Sequence, residues 1–524
     1  DWSSDVCSSD LHNYNIYNQP GPYNSYNEVP LNPDQEVGSG GQEYDLYHVN
    51  YHQMDFDQWS AIPNDQTSYS NMWESPQEFE PEKFSENTKR VKSWNDLFWA
   101  ILFWINFIAT IILFSVLTSK YKKFEKENLL LNSDEEFTTS SLWKTVIVGI
   151  IIGLALTVGH SIYVIYAPSA YIKFGYILSI VFSLAIAIIC AICKVHPIIL
   201  IFPLLSGLIG IIMFCCIKKY LNVSGAILSL TAKIFKQYLL SIILLSIISL
   251  AFQVVISIFF LYMVYYIDVL DYSPGIYFYL LLSYLYITIT FVYVCYMTIS
   301  GLAASWYFLK NTNYFPTNPL WESFKRASTT SFGSASCAGF LLALIRAIRM
   351  IADSDDDDES NLLTCLRCVA VCIIQCIEGC IGYLNRYGLI YCSIYGVPYH
   401  EGCRRWTELS CHKFCNILIN GNCTDIAMTF NGLVFTIIGS LIGYLIGYGT
   451  IKPKQDGGTF TAIFAFIFTL AFCMILNNPI STISDTIIVC FSEEPEKLKV
   501  SAIALYEQLS SFYNDRLSQK SNHH

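Results

Sequence analysis

Ten long apolar segments fill almost all of the chain between Leu97 and Pro479. A bilayer hydrocarbon core is about 30 Å thick, and about 20 apolar residues cross it as a helix. Charged residues make up only 14% of the 524 residues and the mean hydropathy is +0.41, whereas soluble domains carry about 25% charge. The sequence therefore predicts an all-α, polytopic membrane protein with about ten transmembrane helices. The predicted spans are 97–118, 143–166, 171–193, 197–217, 238–266, 276–308, 331–351, 362–382, 430–449 and 459–482.

The N-terminal part of the chain differs in composition from the rest. It is rich in Tyr, Asn, Gln, Pro, Ser and acidic residues and has no apolar period, which predicts a disordered tail. Its residues 1–11 resemble translated adapter sequence, and no apolar signal segment is found before the first span. The predicted organisation is a disordered cytoplasmic tail at 1–93, a transmembrane domain at 94–482 and a cytoplasmic C-terminal tail at 483–524.

The distribution of basic residues predicts which side of the membrane the loops face. With an even number of spans both termini lie on the same side, and inner segments then hold 19 Lys and Arg residues against seven in the outer loops. The positive-inside rule therefore predicts cytoplasmic termini. On this topology the sequons at Asn222 and Asn422 fall in inner segments, so we expect neither to carry a glycan.

Nothing in the sequence indicates an enzyme. Metalloprotease, serine-hydrolase, phosphate-loop and dinucleotide-binding motifs are absent from it, so we expect no catalytic residues, no cofactor and no metal site. The net charge is −11 and the basic residues are scattered between the spans, which excludes a basic stripe for nucleic acid.

Small residues at helical spacing indicate close helix packing. Gly439, Gly443 and Gly447 form small-xxx-small steps on the ninth span, and Gly149 and Gly153 do so on the second. The eighth span carries cysteines along one helical face. A metal site on that face needs ligands from other elements and no histidine accompanies the thiols, so small-residue packing is favoured. These cysteines are Cys365, Cys368, Cys372, Cys376 and Cys380.

Among the ionisable residues inside predicted spans, where an unpaired charge is costly, Glu378 and His160 stand out. Glu378 either supplies counter-charge to a cationic substrate or carries a proton, or else pairs with Arg386 or Arg367 at the helix ends. His160 is either a proton-titrating group or a residue that bonds across a helix interface, and the second interpretation is favoured.

Aromatic residues are also frequent within the spans. A subset is suited to a box that holds a quaternary ammonium group by cation–π attraction, although belt or core packing is favoured for any single member. The subset comprises Tyr163, Tyr166, Tyr286, Tyr293, Trp306 and Tyr307.

Several longer strings occur in a characteristic order. SGLAASWYF ends the sixth span, and FGSASCAG, CIEGCIGYLNRYGLIYCSIYG and SDTIIVCFSEE follow. This order resembles the choline transporter-like family of solute carriers, which includes the fungal pH-nine-sensitive proteins. The resemblance extends over about residues 95–495. It implies ten spans, cytoplasmic termini, and movement of choline or ethanolamine across the plasma membrane or an organelle membrane without ATP.

The resemblance also implies site residues. Trp306, Tyr307 and Phe308 match the family's WYF string, and Gly333 with Ser334 matches its GS pair. Further matching positions are Glu378, Asn385, Arg386, Asp485 and Thr486. Together with the aromatic subset, the expected substrate contacts are Trp306, Tyr307, Phe308, Ser334, Glu378, Tyr163 and Tyr166.

The function expected from the sequence is secondary transport of choline or a related small organic cation by alternating access. One alternative is a passive channel or a scramblase-like protein. Another is a membrane scaffold or sensor whose N-terminal tail binds cytosolic partners. All of these place the chain in a lipid bilayer.

Overall fold

The computed structural model describes residues 94–127, 139–193, 197–270, 272–353, 361–451 and 454–499, with positions 503, 506 and 507. The predicted N-terminal tail lies outside the described residues. The same holds for most of 353–359, a run of five aspartates and one glutamate around a serine. Within these ranges the regular structure is entirely helical. The helices are α1 Leu97–Glu127, α2 Thr139–Tyr166, α3 Pro168–Ile192, α4 Pro197–Gln237, α5 Leu239–Val269, α6 Pro274–Leu309, α7 Pro319–Ser328, α8 Phe332–Ala352, α9 Asn361–Tyr395, α10 Tyr399–Thr450 and α11 Lys454–Glu493.

Nine segments of the described chain are long and apolar enough to cross a bilayer, which confirms the all-helical polytopic fold. They lie on α1, α2, α3, α5, α6, α8, α9, α10 and α11. The predicted fourth span corresponds to a shorter apolar stretch, Pro203–Ile212, in the first half of α4.

The helices keep large apolar side chains on their outer surfaces. Leu240 of α5 is 81% exposed and Leu445 of α10 is 63% exposed, although both lie in spans. Water would make such a surface unfavourable, whereas lipid tails are as apolar as the side chains. The outward faces therefore match a hydrocarbon environment.

Glycines bring α11 close to two other helices, as predicted. A Cβ atom added at Gly443 of α10 would lie 2.7 Å from the Cβ of Ala465, and one at Gly149 of α2 would lie 2.9 Å from the Cβ of Phe464. Distances below about 3 Å leave no room for a larger residue, so these backbones are in close contact. Glycines on α10 and α2 thus allow both helices to pack closely against α11.

A turn just before α1 joins three helix starts at one end of the bundle. Asp96 has a φ of 52°, a left-handed conformation that Asp adopts more readily than most residues. Its Oδ2 accepts hydrogen bonds from the Ser334 hydroxyl at 2.6 Å and from the Tyr399 backbone N–H at 2.7 Å. A Cβ at Gly333 would lie 2.3 Å from the Asp96 carbonyl oxygen, so only glycine permits this approach.

Further contacts join inner segments to inner segments and outer segments to outer segments, as the predicted topology requires. Asn95 donates its backbone N–H to the Thr330 carbonyl at 2.9 Å and its Nδ2 to the Gly396 carbonyl at 2.6 Å. These residues fall in or next to segments predicted to lie on the inner side. At the opposite end, Lys120 Nζ donates to the Tyr272 hydroxyl at 2.7 Å, which joins two segments predicted to lie outside.

The orientation of this arrangement is open to a direct test. We expect an epitope tag inserted after Ser273 to bind antibody on intact cells, and a tag after Asn313 to bind only after permeabilisation, because these exposed positions lie at opposite ends of α6. The reverse staining pattern would contradict cytoplasmic termini.

The natural sequons cannot replace this experiment. Both lie within helices, and the hydroxyl residues that complete them, Ser224 and Thr424, are buried. We expect both sites to remain unmodified in either orientation, since an acceptor site must be accessible.

Candidate functional site

Arg386 of α9 holds two carboxylates that come from two other helices. Its Nη1 lies 2.6 Å from Oδ2 of Asp425 on α10, and its Nη2 lies 3.1 Å from Oδ1 of the same residue. Its Nε donates to Asp485 of α11. The Ser481 hydroxyl of α11 lies 2.6 Å from both Nη2 of Arg386 and Oδ1 of Asp425. With both carboxyl groups ionised, this group, which we call the Arg386 cluster, carries a net charge of −1.

The two carboxylates of the Arg386 cluster differ in accessibility. The Asp485 side chain is 2% exposed, whereas those of Arg386 and Asp425 are 29% and 34% exposed. All three residues lie inside candidate spans, where charged groups normally face a partner or a cavity and mark functional sites. Asp485 is the buried carboxylate of the cluster, and Asp425 is the more exposed one.

Aromatic rings lie beside the cluster. Tyr387 of α9 stacks on Trp406 of α10 with ring centroids 4.0 Å apart and an interplanar angle of 9°, and Tyr383 lies 4.8 Å from Tyr387. Tyr383 and Tyr387 both interact electrostatically with Arg386 and Asp485. On the α6 side, the hydroxyl of Tyr296 is buried and has no hydrogen-bond partner among the described residues.

This combination has a definite binding chemistry. An excess negative charge attracts a cation, and aromatic faces favour cations whose hydration is weak, such as quaternary ammonium groups. The Arg386 cluster with the partly exposed Tyr383 therefore forms a candidate site for a small organic cation, while Tyr387 and Trp406 are buried behind it and each covers one ring face of the other. Among the described residues no group of three or more His, Cys, Asp and Glu side chains is arranged to hold a metal ion.

Sequence reasoning found only part of this cluster. Arg386 and Asp485 were expected as motif positions, but the predicted spans ended before both, and Asp425 lay before the predicted start of the ninth span. The structure places all three within candidate spans, at 367–395, 423–450 and 456–493. The hydropathy average falls at each charged residue. The predicted span boundaries therefore left out Arg386, Asp425 and Asp485. Their common signal is one charge close to the end of each of three neighbouring spans.

Glu378 has partners other than those expected. Its Oε1 lies 2.8 Å from Nε of Arg346 and its Oε2 lies 3.0 Å from Nε of Arg349, both on α8. The prediction that it pairs with Arg386 or Arg367 is wrong, because the glutamate faces α8. Arg346 and Arg349 are three residues apart and so share one helical face. Glu378 therefore joins α8 to α9 and is separate from the Arg386 cluster.

The other predicted substrate contacts are not gathered into one site. Trp306 and Tyr307 are fully buried near the end of α6, where Trp306 Nε1 donates to Gln237 Oε1 at 3.0 Å. Lys310 Nζ lies 4.1 Å from the Trp306 ring centroid, so a cation of the chain itself already occupies that ring face. Tyr307 donates to the Glu494 carbonyl at 3.0 Å. The structure places these residues at one end of the bundle rather than near its middle.

The remaining expected contacts lie elsewhere. Phe308 packs edge-to-face against its neighbour Tyr307. Tyr163 contacts Tyr171, and Tyr166 is 71% exposed. Ser334 and Gly333 hold the Asp96 turn described above, which gives the GS pair a role in joining helices.

The other matched motif residues connect helices inside the bundle. Asn385 Nδ2 donates to the Tyr293 hydroxyl of α6 at 3.1 Å and to the Ala338 carbonyl of α8 at 3.0 Å, while its Oδ1 accepts from the Tyr399 hydroxyl of α10. Thr486 donates to the Ser300 hydroxyl of α6 at 3.0 Å.

Two further predictions have different outcomes. His160 Nε2 lies 2.8 Å from the Tyr171 hydroxyl on α3, which confirms the bond across a helix interface. The cysteine face of α9 does not pack as expected, because Cys368, Cys372, Cys376 and Cys380 are all exposed. The physical reason is that α9 turns its Glu378 side toward α8 and leaves the opposite, thiol-bearing side uncovered by this chain.

Fold and site together define a polytopic α-helical membrane protein with an ion cluster inside its bundle. Residues 201–496 match the family described as plasma-membrane choline transporter, and this chain belongs to that family. The match contains all four residues of the Arg386 cluster. Family membership confirms the resemblance seen in the sequence motifs.

Individual relatives agree with this assignment. The chain is 27% identical to Protein PNS1 of Eremothecium gossypii over 241 residues, which is 44% of each chain. It is 27% identical over 223 residues to a CTL-like protein of Dictyostelium discoideum, covering 42% of this chain and 39% of the relative. In both cases the chain spans less than half the length of the relative. A longer match, 22% identical over 482 residues, covers 84% of this chain and 92% of Protein PNS1 of Debaryomyces hansenii.

The Glu378 contacts predict a structural role. We expect Glu378→Gln to lower the free energy of unfolding by about 1–3 kcal/mol, since it leaves Arg346 and Arg349 without their carboxylate. Arg346→Gln should lower it less, because Glu378 keeps its contact with Arg349. Thermal unfolding in detergent measures this change. The double variant should lose less than the sum of the two single losses. Unchanged stability with altered choline uptake would instead make Glu378 a substrate counter-charge.

The burial of Trp306 predicts a packing role. We expect Trp306→Ala to destabilise the fold by about 3–5 kcal/mol because it empties a buried site, and Tyr166→Ala, at an exposed position, to change stability by less than about 0.5 kcal/mol. The yield and thermal stability of purified protein test both. A fully stable Trp306→Ala protein with weaker choline uptake would return Trp306 to the substrate site.

Proposed function

We propose that this protein is a secondary transporter of choline or a related small organic cation, and that the cation binds at the Arg386 cluster. One observation carries the proposal: two carboxyl groups from two helices meet a single arginine inside the spans, next to the partly exposed Tyr383. Cation–π contacts worth about 0.5–2 kcal/mol each are strong enough to select an ammonium group and weak enough to allow its release.

Asp425 is the proposed counter-charge for the substrate. It is the more exposed carboxylate, and Arg386 remains neutralised by Asp485 when the contact with Asp425 breaks. A bound ammonium group then competes with Arg386 for Asp425. Net charge favours this exchange, because the cluster holds two carboxylates for one guanidinium group.

The same exchange supplies a route to alternating access. Arg386 ties α9 to α10 through Asp425 and to α11 through Asp485. A ligand shifts a conformational equilibrium only when it binds the two states with different affinity. If the cation takes the place of Arg386 at Asp425, the tie between α9 and α10 weakens only in the loaded protein, which couples binding to helix movement.

The family description suggests the plasma membrane as the site of action. We propose that both termini lie in the cytoplasm there. On that orientation the Asp96 turn lies at the cytoplasmic end of the bundle.

Choline uptake into proteoliposomes tests the function and the site together. We expect saturable uptake by the unaltered protein and at least a tenfold lower kcat/KM for Asp425→Asn, because the substitution removes the excess charge while preserving size. Asp456→Asn is the matched control, since Asp456 is an exposed acid at the start of α11, and its uptake should be unchanged.

Two results would contradict the proposal. Equal uptake by Asp425→Asn and the unaltered protein would remove the Arg386 cluster from the substrate path. Flux that does not saturate with choline would favour a channel-like or scramblase-like protein. Rates are expressed per folded molecule, so a loss of folded protein does not resemble a loss of transport.

A further inference from the structure

The short helix α7 carries an arginine whose charge is directed into the protein. Arg326 Nε is inaccessible to solvent and has no hydrogen-bond partner among the described residues. Its Nη2 lies 3.4 Å from the hydroxyl of Ser323, one turn earlier on the helix. A Cβ at Gly301 of α6 would lie 3.3 Å from the same Nη2, so the glycine leaves room for the guanidinium group.

No carboxylate of the described residues forms an ion pair with Arg326. The acid that acts on it electrostatically is Glu322, which is exposed on the same helix. Burial lowers the pKa of Arg326 to about 10, so the guanidinium group is still cationic at neutral pH. A buried charge without a counter-ion is costly, and proteins normally provide one.

Arg326 lines a small cavity between α6, α7 and the end of α9. Hydroxyl-bearing residues from three segments, Ser323, Ser331 and Ser393, share its wall with apolar Met297. Among the described residues that line the cavity there is no carboxylate. The interior admits roughly one water-sized sphere, which suits a monatomic ion better than a polyatomic one.

We propose that this cavity is a binding site for a small inorganic anion, and chloride, which has the matching charge, serves as the probe. The guanidinium group supplies the charge, and Ser331 supplies a hydroxyl donor, whereas the Ser393 hydroxyl already donates to the Ile390 carbonyl at 2.8 Å. Ser331 is well suited to donate, because it precedes α8 and its side chain makes no capping hydrogen bond there. A cation is excluded by the arginine.

Hydroxyl groups connect this cavity to the Arg386 cluster. The Ser393 hydroxyl lies 2.7 Å from that of Ser300, which accepts a hydrogen bond from Thr486 at 3.0 Å. Thr486 directly follows Asp485 in α11. The anion therefore sits where it stabilises the packing of α6, α9 and α11 around the candidate cation site. Its binding does not depend on the proposed transport function.

The test measures halide binding to the purified full-length protein, with no transport assay. Thermal stability is recorded in chloride, bromide and gluconate at equal ionic strength, and the line width of the chloride NMR signal is recorded in the chloride buffer before and after bromide is added. We expect both halides to raise the melting temperature above that in gluconate. Arg326→Gln should weaken apparent halide affinity at least tenfold, whereas Arg404→Gln, an exposed arginine on α10, should leave it unchanged.

A second variant keeps the arginine and alters the cavity alone. Ser331→Val replaces a buried hydroxyl with methyl groups, and we expect at least a tenfold loss of halide affinity here as well. This variant decides the question if Arg326→Gln does not fold. Halide affinity that is unchanged in a folded Arg326→Gln or Ser331→Val protein, or stabilisation by gluconate equal to that by chloride, would overturn the proposal.

Discussion

The bundle depends on how it accommodates charge at membrane depth. A single charged side chain near the centre of a membrane helix costs about 2.5–3.5 kcal/mol on insertion scales. Toward the ends of their spans, α9, α10 and α11 each contribute one charged residue to a single contact, in which Arg386 holds Asp425 and Asp485. The contact fixes the rotation and depth of α9, α10 and α11 relative to one another, because any slip would separate charges in a medium that cannot solvate them.

Neighbouring positions on α9 extend this control to the rest of the bundle. Asn385 bonds to α6, α8 and α10, and the next residue, Arg386, bonds to α10 and α11. Two consecutive residues thus contact four other helices. Lipid tails solvate apolar helix surfaces about as well as other helices do, so apolar burial does not select which helices pack together. Interhelical hydrogen bonds are therefore a main source of specificity in helix packing. The polar motif of α9 determines the arrangement of the helices as well as the chemistry of the site.

The fold was predictable from the sequence because lipid imposes a simple rule on composition and length. Long apolar runs located the spans, and glycine spacing at positions such as Gly443 located close contacts. The site was less predictable, since hydropathy averaging places a boundary wherever a charge occurs and so moved Asp425 and Asp485 out of their helices. The partners of Glu378 depended on the rotation of α8 against α9, which residue spacing on a single helix does not determine. The same rotation left Cys372 on an uncovered face.

The Asp96 turn sets a sharp limit on how far the chain can be shortened from its N-terminus. Every contact described for this turn involves Asn95, Asp96 or residues after them. A protein that begins just before Trp94 keeps the connection between α1, α8 and α10. One that begins at Leu97, only three residues later, lacks the carboxylate that accepts from both Ser334 and Tyr399. The starts of α8 and α10 would then each lose a hydrogen bond, and α10 is the helix that carries Asp425. Asn95 and Asp96 are therefore needed for the connection between α1, α8 and α10.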